Sequence, residues 1–92
     1  DADEALRIGL VNAVLDPAAL LPRVRAVADA IAARAPLAVA AAKRAAREGA
    51  DLPLAAALER ERQLFSGLFG TADQREGMRA FVEKRPASWS GK

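Results

Sequence analysis

The sequence contains no cysteine and no histidine. The first absence excludes disulfides and thiolate metal sites, and it fits a cytoplasmic protein. The second removes the commonest metal ligand and general base, so nucleophilic triads and zinc or haem ligation have no donors here. Aromatic side chains are scarce: three phenylalanines and one tryptophan. Neither the phosphate loop G-x-x-x-x-G-K-[ST] nor the dinucleotide fingerprint G-x-G-x-x-G occurs. The longest apolar run, Ala35 to Ala42, is interrupted by Pro36 and is too short to span a bilayer. No signal-peptide pattern opens the chain; its acidic beginning, DADEA, reads as a cut in a longer sequence. The pI near 9.7 overstates the charge, because 14 cations face 12 anions, a net +2. A nucleic-acid surface normally shows a concentrated basic stripe. The nearest approach, Arg34, Lys43, Arg44 and Arg47 against Glu48, falls where the last turn of a helix complements its own dipole. No nucleic acid, membrane or metal is expected.

What the chain has is alanine, about a quarter of its 92 residues. Alanine favours helix but buries little apolar area, so a core must rest on scattered Leu, Val, Ile, Met and Phe, or on another chain. Ala2 to Ile8 reads as a short helix stopped by Gly9 in the left-handed conformation. LVNAVL, Leu10 to Leu15, suits an extended strand or a buried connection. Asp16-Pro17 starts a second helix, with Leu20, Val24, Val27 and Ile31 at helical spacing as far as Pro36. Pro36 opens a third, almost all alanine in its middle and closed by Gly49. Asp51 caps a fourth, with Leu54, Leu58, Phe65 and Leu68 on one face. Thr71 to Gln74 forms a capping box for the last helix, which stops before Pro86. The tail PASWSGK lacks periodicity, and Trp89 is its anchor.

Two features invite a chemical reading. Glu61 lies on the apolar stripe of the fourth helix, where a carboxylate needs a partner or shifts its pKa upward. A salt bridge to Arg75 or Arg79 accounts for it; a catalytic acid is the sharper alternative, with no second polar group in the pattern. Glu59 and Glu61, two residues apart, point to different sides of the helix. In EGMRAFVEKR, Glu76 to Arg85, an interior Gly77 signals close backbone approach, to another helix or to ligand. Phe81 and Lys84 share a face with it. A ring beside an ammonium stacks on a flat aromatic group and meets a phosphate; in the plainer reading, Phe81 fills a core and Lys84 is solvated. Composition and spacing alone favour the plainer reading and leave the other open.

EALRIGLVNAV (Glu4 to Val14), PLAVAAAKRA (Pro36 to Ala45), the spacing of Glu61 and Phe65, and DQREGMRAFVEKRPASWSG (Asp73 to Gly91) resemble, in this order, the C-terminal part of enoyl-CoA hydratase/isomerase proteins, the crotonase family. The last motif is the most specific, with Pro86 directly after Arg85. The resemblance implies an all-α fold: the helical C-terminal region of the crotonase fold, four to five helices with one short extended segment near Leu10-Leu15, residues 1–92 forming a single domain. It implies a parent lyase or isomerase that hydrates 2-enoyl-CoA thioesters, with acyl-CoA as substrate and no cofactor. The family's catalytic glutamates and oxyanion amides lie in an N-terminal spiral domain and match no residue here, so no catalytic residue is assigned and the chain alone is expected to be inactive. Phe81 and Lys84 match the positions that reach the nucleotide end of CoA, often for a neighbouring subunit. The parent is expected to be a trimer or dimer of trimers, and the isolated chain a dimer or larger. The alternative is a stand-alone helical module whose whole role is self-association.

Overall fold

A computed structural model describes all residues, 1–92, and contains five helices and no strand. The chain divides into two compact units, Asp1–Ala30 and Ile31–Lys92, each described by itself.

The first unit holds α1 (Ala2–Arg7) and most of α2 (Pro17–Ala32). Asp1 caps α1, its carboxylate accepting from the Glu4 amide at 2.8 Å. Gly9, just past the end, takes φ +75°, the left-handed stop read from the sequence. The expected extended segment does not form a strand. The amides of Leu10 and Val11 instead donate back to the Ala5 carbonyl, at 2.8 and 3.3 Å. With those donors spent on α1 and no partner strand, Leu10–Leu15 is an irregular connection. At the start of α2 Asp16 works through its backbone, its carbonyl accepting from Ala19 and Leu20. Pro22 sits inside α2; having no N–H, it leaves the Ala18 carbonyl without its usual intrahelical donor.

The second unit holds α3 (Pro36–Gly49), α4 (Leu54–Ser66) and α5 (Ala72–Glu83). Its main helix pair is α3 against α4. The alanine-rich middle of α3 permits this approach, and Gly49 marks its tightest point. Gly49 closes α3 as its last residue, as read from the sequence; a Cβ there would lie 3.3 Å from the Ala57 Cβ. Glu48 bridges the two helices through Arg60 and also meets Arg44. Asp51 does not cap α4. The chain turns through Asp51 and Leu52, and Pro53 takes the N-cap position, its carbonyl accepting from Ala56 and Ala57.

Half of the expected capping box forms on α5. The Thr71 hydroxyl oxygen accepts from the Gln74 amide at 3.0 Å, while the Thr71 amide donates to the Leu68 carbonyl. The end of α5 is a reversal at Lys84, with φ 51° and ψ 41°.

The apolar stripes read from the sequence exist, but little covers them. Ala80 is the only buried apolar residue, and Leu10, Leu54 and Leu58 are 75 %, 74 % and 54 % exposed. Fully burying one leucine contributes about 1.5–3 kcal/mol, so most of the stabilisation this sequence encodes is not realised within the chain. Under such conditions single caps weigh heavily. Thr71→Ala is expected to lower the unfolding free energy by about 1 kcal/mol, measured by urea denaturation with far-UV circular dichroism, while Asp51→Ala leaves it within about 0.5 kcal/mol.

Candidate functional site

Helix α5 and the tail that follows it form the most polar and most closely bonded part of the molecule. After the reversal at Lys84 the tail runs back along α5, held at three levels. At the start of the helix, Asp73 is 3 % exposed. Its carboxylate accepts from the Ser90 amide at 2.6 Å, the Ser90 hydroxyl at 3.0 Å and the Gly91 amide at 3.0 Å. These donors, the Ser90 amide foremost, hold its pKa below the ordinary value against the opposing effect of burial. The Lys92 carbonyl completes the level by accepting from the amides of Ala72 and Asp73, two of the donors any helix start leaves free.

At mid-helix, Trp89 of the tail covers Gly77. A Cβ at Gly77 would stand 3.3 Å from the far edge of the indole, so the interior glycine is explained by this ring rather than by another helix. The indole N–H donates to the Ala33 carbonyl at 2.9 Å. Trp89 is thus the anchor expected from the sequence, tying the tail to the turn before α3. A cleft of about 400 Å³ beside it is lined by Arg34, Pro36, Val39, Lys43 and Trp89.

At the helix end, Arg85 reaches back nine residues to Glu76 as a two-pronged ion pair, at 2.6 and 3.0 Å, and also meets Glu83. The Ser88 amide donates to the same Glu76 carboxylate at 2.9 Å. Arg85 foremost, then this amide, pulls the Glu76 pKa down to about 2, and the Arg85 pKa is raised in turn.

The sequence candidates lie on the open side of this scaffold. Phe81 is 81 % exposed, and Met78 and Val82 beside it are also uncovered. Phe81 therefore fills no core within this chain. Lys84 is exposed and makes no ion pair or side-chain hydrogen bond. It is also the only non-glycine residue with positive φ, a conformation that costs a residue with a Cβ about 1–2 kcal/mol. Its amide donates to the Phe81 carbonyl at 3.3 Å, so both residues are rooted in the same last turn of α5. An exposed flat ring and an unpartnered cation are the two groups that a planar, anionic ligand calls for.

Glu61 is placed differently from expectation. It is exposed, and no bridge to Arg75 or Arg79 forms; Arg75 donates to the Gly70 carbonyl at 2.6 Å. Glu61 stands at an apolar groove of about 700 Å³ between α3 and α4, lined also by Ala38, Ala45, Gly49, Leu64 and Leu68. No second carboxylate lines this groove, so it holds no acid–base pair. Glu59 is occupied by Arg62 and Gln63 on the solvated face, as read from the sequence.

The Enoyl-CoA hydratase/isomerase family model matches residues 1–92. A crotonyl-CoA hydratase of Syntrophomonas wolfei is 47 % identical over the whole chain, which covers 35 % of that protein. A short-chain-enoyl-CoA hydratase of Clostridium acetobutylicum is 44 % identical over 91 % of the chain and 32 % of its own length. Among solved structures, an enoyl-CoA hydratase/isomerase from Mycobacterium paratuberculosis superposes with TM-score 0.93 at 34 % identity, over all of this chain and 35 % of that one. An enoyl-CoA hydratase from Bacillus anthracis superposes at 0.91 and 36 % identity, over 99 % and 35 %. The chain thus spans about a third of the length of the relatives it matches.

Glu76 and Asp73 both have folded pKa values below their unfolded ones, so each contributes stability that is complete above the ordinary carboxylate range. That contribution is lost as pH falls from 4.5 toward about 2. The single tryptophan lies in the tail and reports its attachment. Its emission is expected to shift to the red across this window, and in Glu76→Gln the acid-sensitive change is expected to shrink.

Proposed function

The chain belongs to the enoyl-CoA hydratase/isomerase family, and we propose that it is the helical C-terminal part of an enoyl-CoA hydratase, which binds the nucleotide end of the CoA thioester and joins subunits without performing chemistry. The observation that carries this reading is the pairing of Phe81, exposed and apolar, with Lys84, exposed and unpartnered, at one end of α5. CoA presents a planar adenine and several phosphates. The ring stacks on the former and the ammonium meets the latter, both before the reaction and through it. These are uniform binding contacts, which lower KM and leave kcat unchanged.

Hydration adds the oxygen of water to the β-carbon of a 2-enoyl thioester and a proton to the α-carbon. It needs a base for the water, an acid for the carbon and donors for the thioester oxygen as negative charge develops there. Neither groove of this chain offers that set, and Glu61 stands alone. The chemistry is therefore assigned to a part of the parent protein outside these residues. No helix of the chain is long and apolar enough to cross a membrane.

Assembly is the second half of the role. Leu54, Leu58, Phe65 and Phe69 remain open in the second unit, and continuous apolar faces of this kind favour association. A parent homo-oligomer, a trimer or dimer of trimers, accommodates these faces.

Two measurements test the reading. In the intact hydratase carrying this chain, Phe81→Ala and Lys84→Ala are each expected to raise KM for a CoA thioester about three- to tenfold, the equivalent of roughly 0.7–1.4 kcal/mol, with kcat unchanged. A fall in kcat alone would place these residues in the chemistry instead. The 92-residue chain by itself is expected to show no hydration of crotonyl-CoA and to scatter light as a dimer or larger; turnover, or a monodisperse monomer at micromolar concentration, contradicts the assignment.

A further inference from the structure

Lys84 occupies a backbone position that suits glycine. It is left-handed at φ 51°, and no other non-glycine residue of the chain is. Local strain of this kind persists only where the surroundings over-determine it, and it is concentrated at functional sites. The surroundings of Lys84 do over-determine it. On its amino side the helix ends at Glu83, and on its carboxyl side the Arg85 amide donates to the Ala80 carbonyl at 3.1 Å. The Arg85 side chain then joins both flanks, pairing with Glu83 beside it and with Glu76 two turns earlier. Glu76 in turn takes the Ser88 amide, fixing the chain beyond the reversal. Glu76, Glu83 and Arg85 satisfy one another, while the Lys84 ammonium takes no part in the pairing and stays exposed.

We propose that Glu76 and Arg85 are positioning residues for Lys84: their two-pronged pair closes the chain reversal that holds Lys84 left-handed, and so sets the direction in which its ammonium leaves α5 beside Phe81 toward a ligand phosphate. This inference rests on the reading of Phe81 and Lys84 as the contact for the nucleotide end of CoA, and it adds a reason for the strain. Preorganising one long, flexible side chain reduces the ordering that binding must otherwise impose. A lysine at the end of a regular helix would sweep a wide arc; one rooted in a clamped reversal starts from a fixed root.

The test is calorimetric titration of adenosine 3′,5′-bisphosphate and of CoA into the intact hydratase carrying this chain and into its variants, with the thermal midpoint recorded alongside. Lys84→Gly is expected to weaken binding of both ligands about tenfold while the thermal midpoint stays level or rises, because glycine relieves the left-handed backbone. Glu76→Gln is expected to weaken binding about three- to fivefold in the native background and to have no further effect in the Lys84→Gly background, the non-additivity of residues acting through one group. Arg85→Lys keeps the charge but not the fork and is expected to reproduce this pattern at smaller amplitude even if Glu76→Gln folds poorly. Unchanged affinity in Lys84→Gly overturns the nucleotide-binding reading itself. A loss in Lys84→Gly with none in Arg85→Lys or Glu76→Gln overturns only the positioning role, as does an equal loss with and without Lys84.

Discussion

The capture of the tail by Asp73 is the interaction on which the rest of the second unit depends. One buried carboxylate gathers two amides and a hydroxyl from Ser90 and Gly91, and in doing so commits seven residues without secondary structure of their own to a single path along α5. Once that path is set, Trp89 falls on Gly77, its N–H reaches Ala33, and Ser88 falls within reach of Glu76. Polar anchoring of this kind is the natural solution for a segment whose apolar content is too low to hold it by burial. A buried carboxylate is tolerated because its lone pairs are occupied by donors, which offset the loss of water.

The chain combines this well-satisfied polar edge with apolar faces that nothing within it covers. Ala80 is the only buried apolar residue, although the sequence carries complete stripes on α2 and α4. Alanine explains part of the pattern: it lets α3 and α4 approach closely, but contributes too little area to enclose a core. The larger side chains are left exposed. The second unit is therefore held together more by polar bonding than by burial, and Phe81 and Lys84 lie on an open edge of it.

Helices were the legible part of the sequence, since their signals are local. Pro17 and Pro36 at first helical positions, Thr71 before its amide donors and Gly9 past the end of α1 each act within a few residues. Local signals also misled. Asp51 is a good cap in isolation, but Pro53 takes the N-cap of α4; Gly49 does close α3, and it also permits close contact with Ala57. LVNAVL has the composition of a strand, and what decides against it is the Ala5 carbonyl, which takes its first two amides. In the candidate site, Phe81 and Lys84 were visible through their motif. Asp73 was legible only as an anion favouring a helix start, because its partners lie 17 and 18 residues away.

By itself, the sequence determined the helical class, the family resemblance and the absence of the donors needed for most catalytic sites. Each of these follows from residue identity and short-range spacing. Only the tertiary structure decided that Glu61 stands unpaired at a groove, that Gly77 serves Trp89, and that Glu76 and Arg85 clamp a left-handed Lys84. Those outcomes depend on where the chain turns back on itself. A helical pattern fixes which face a residue occupies, but it contains no information about which distant backbone amide or side chain will come to meet it.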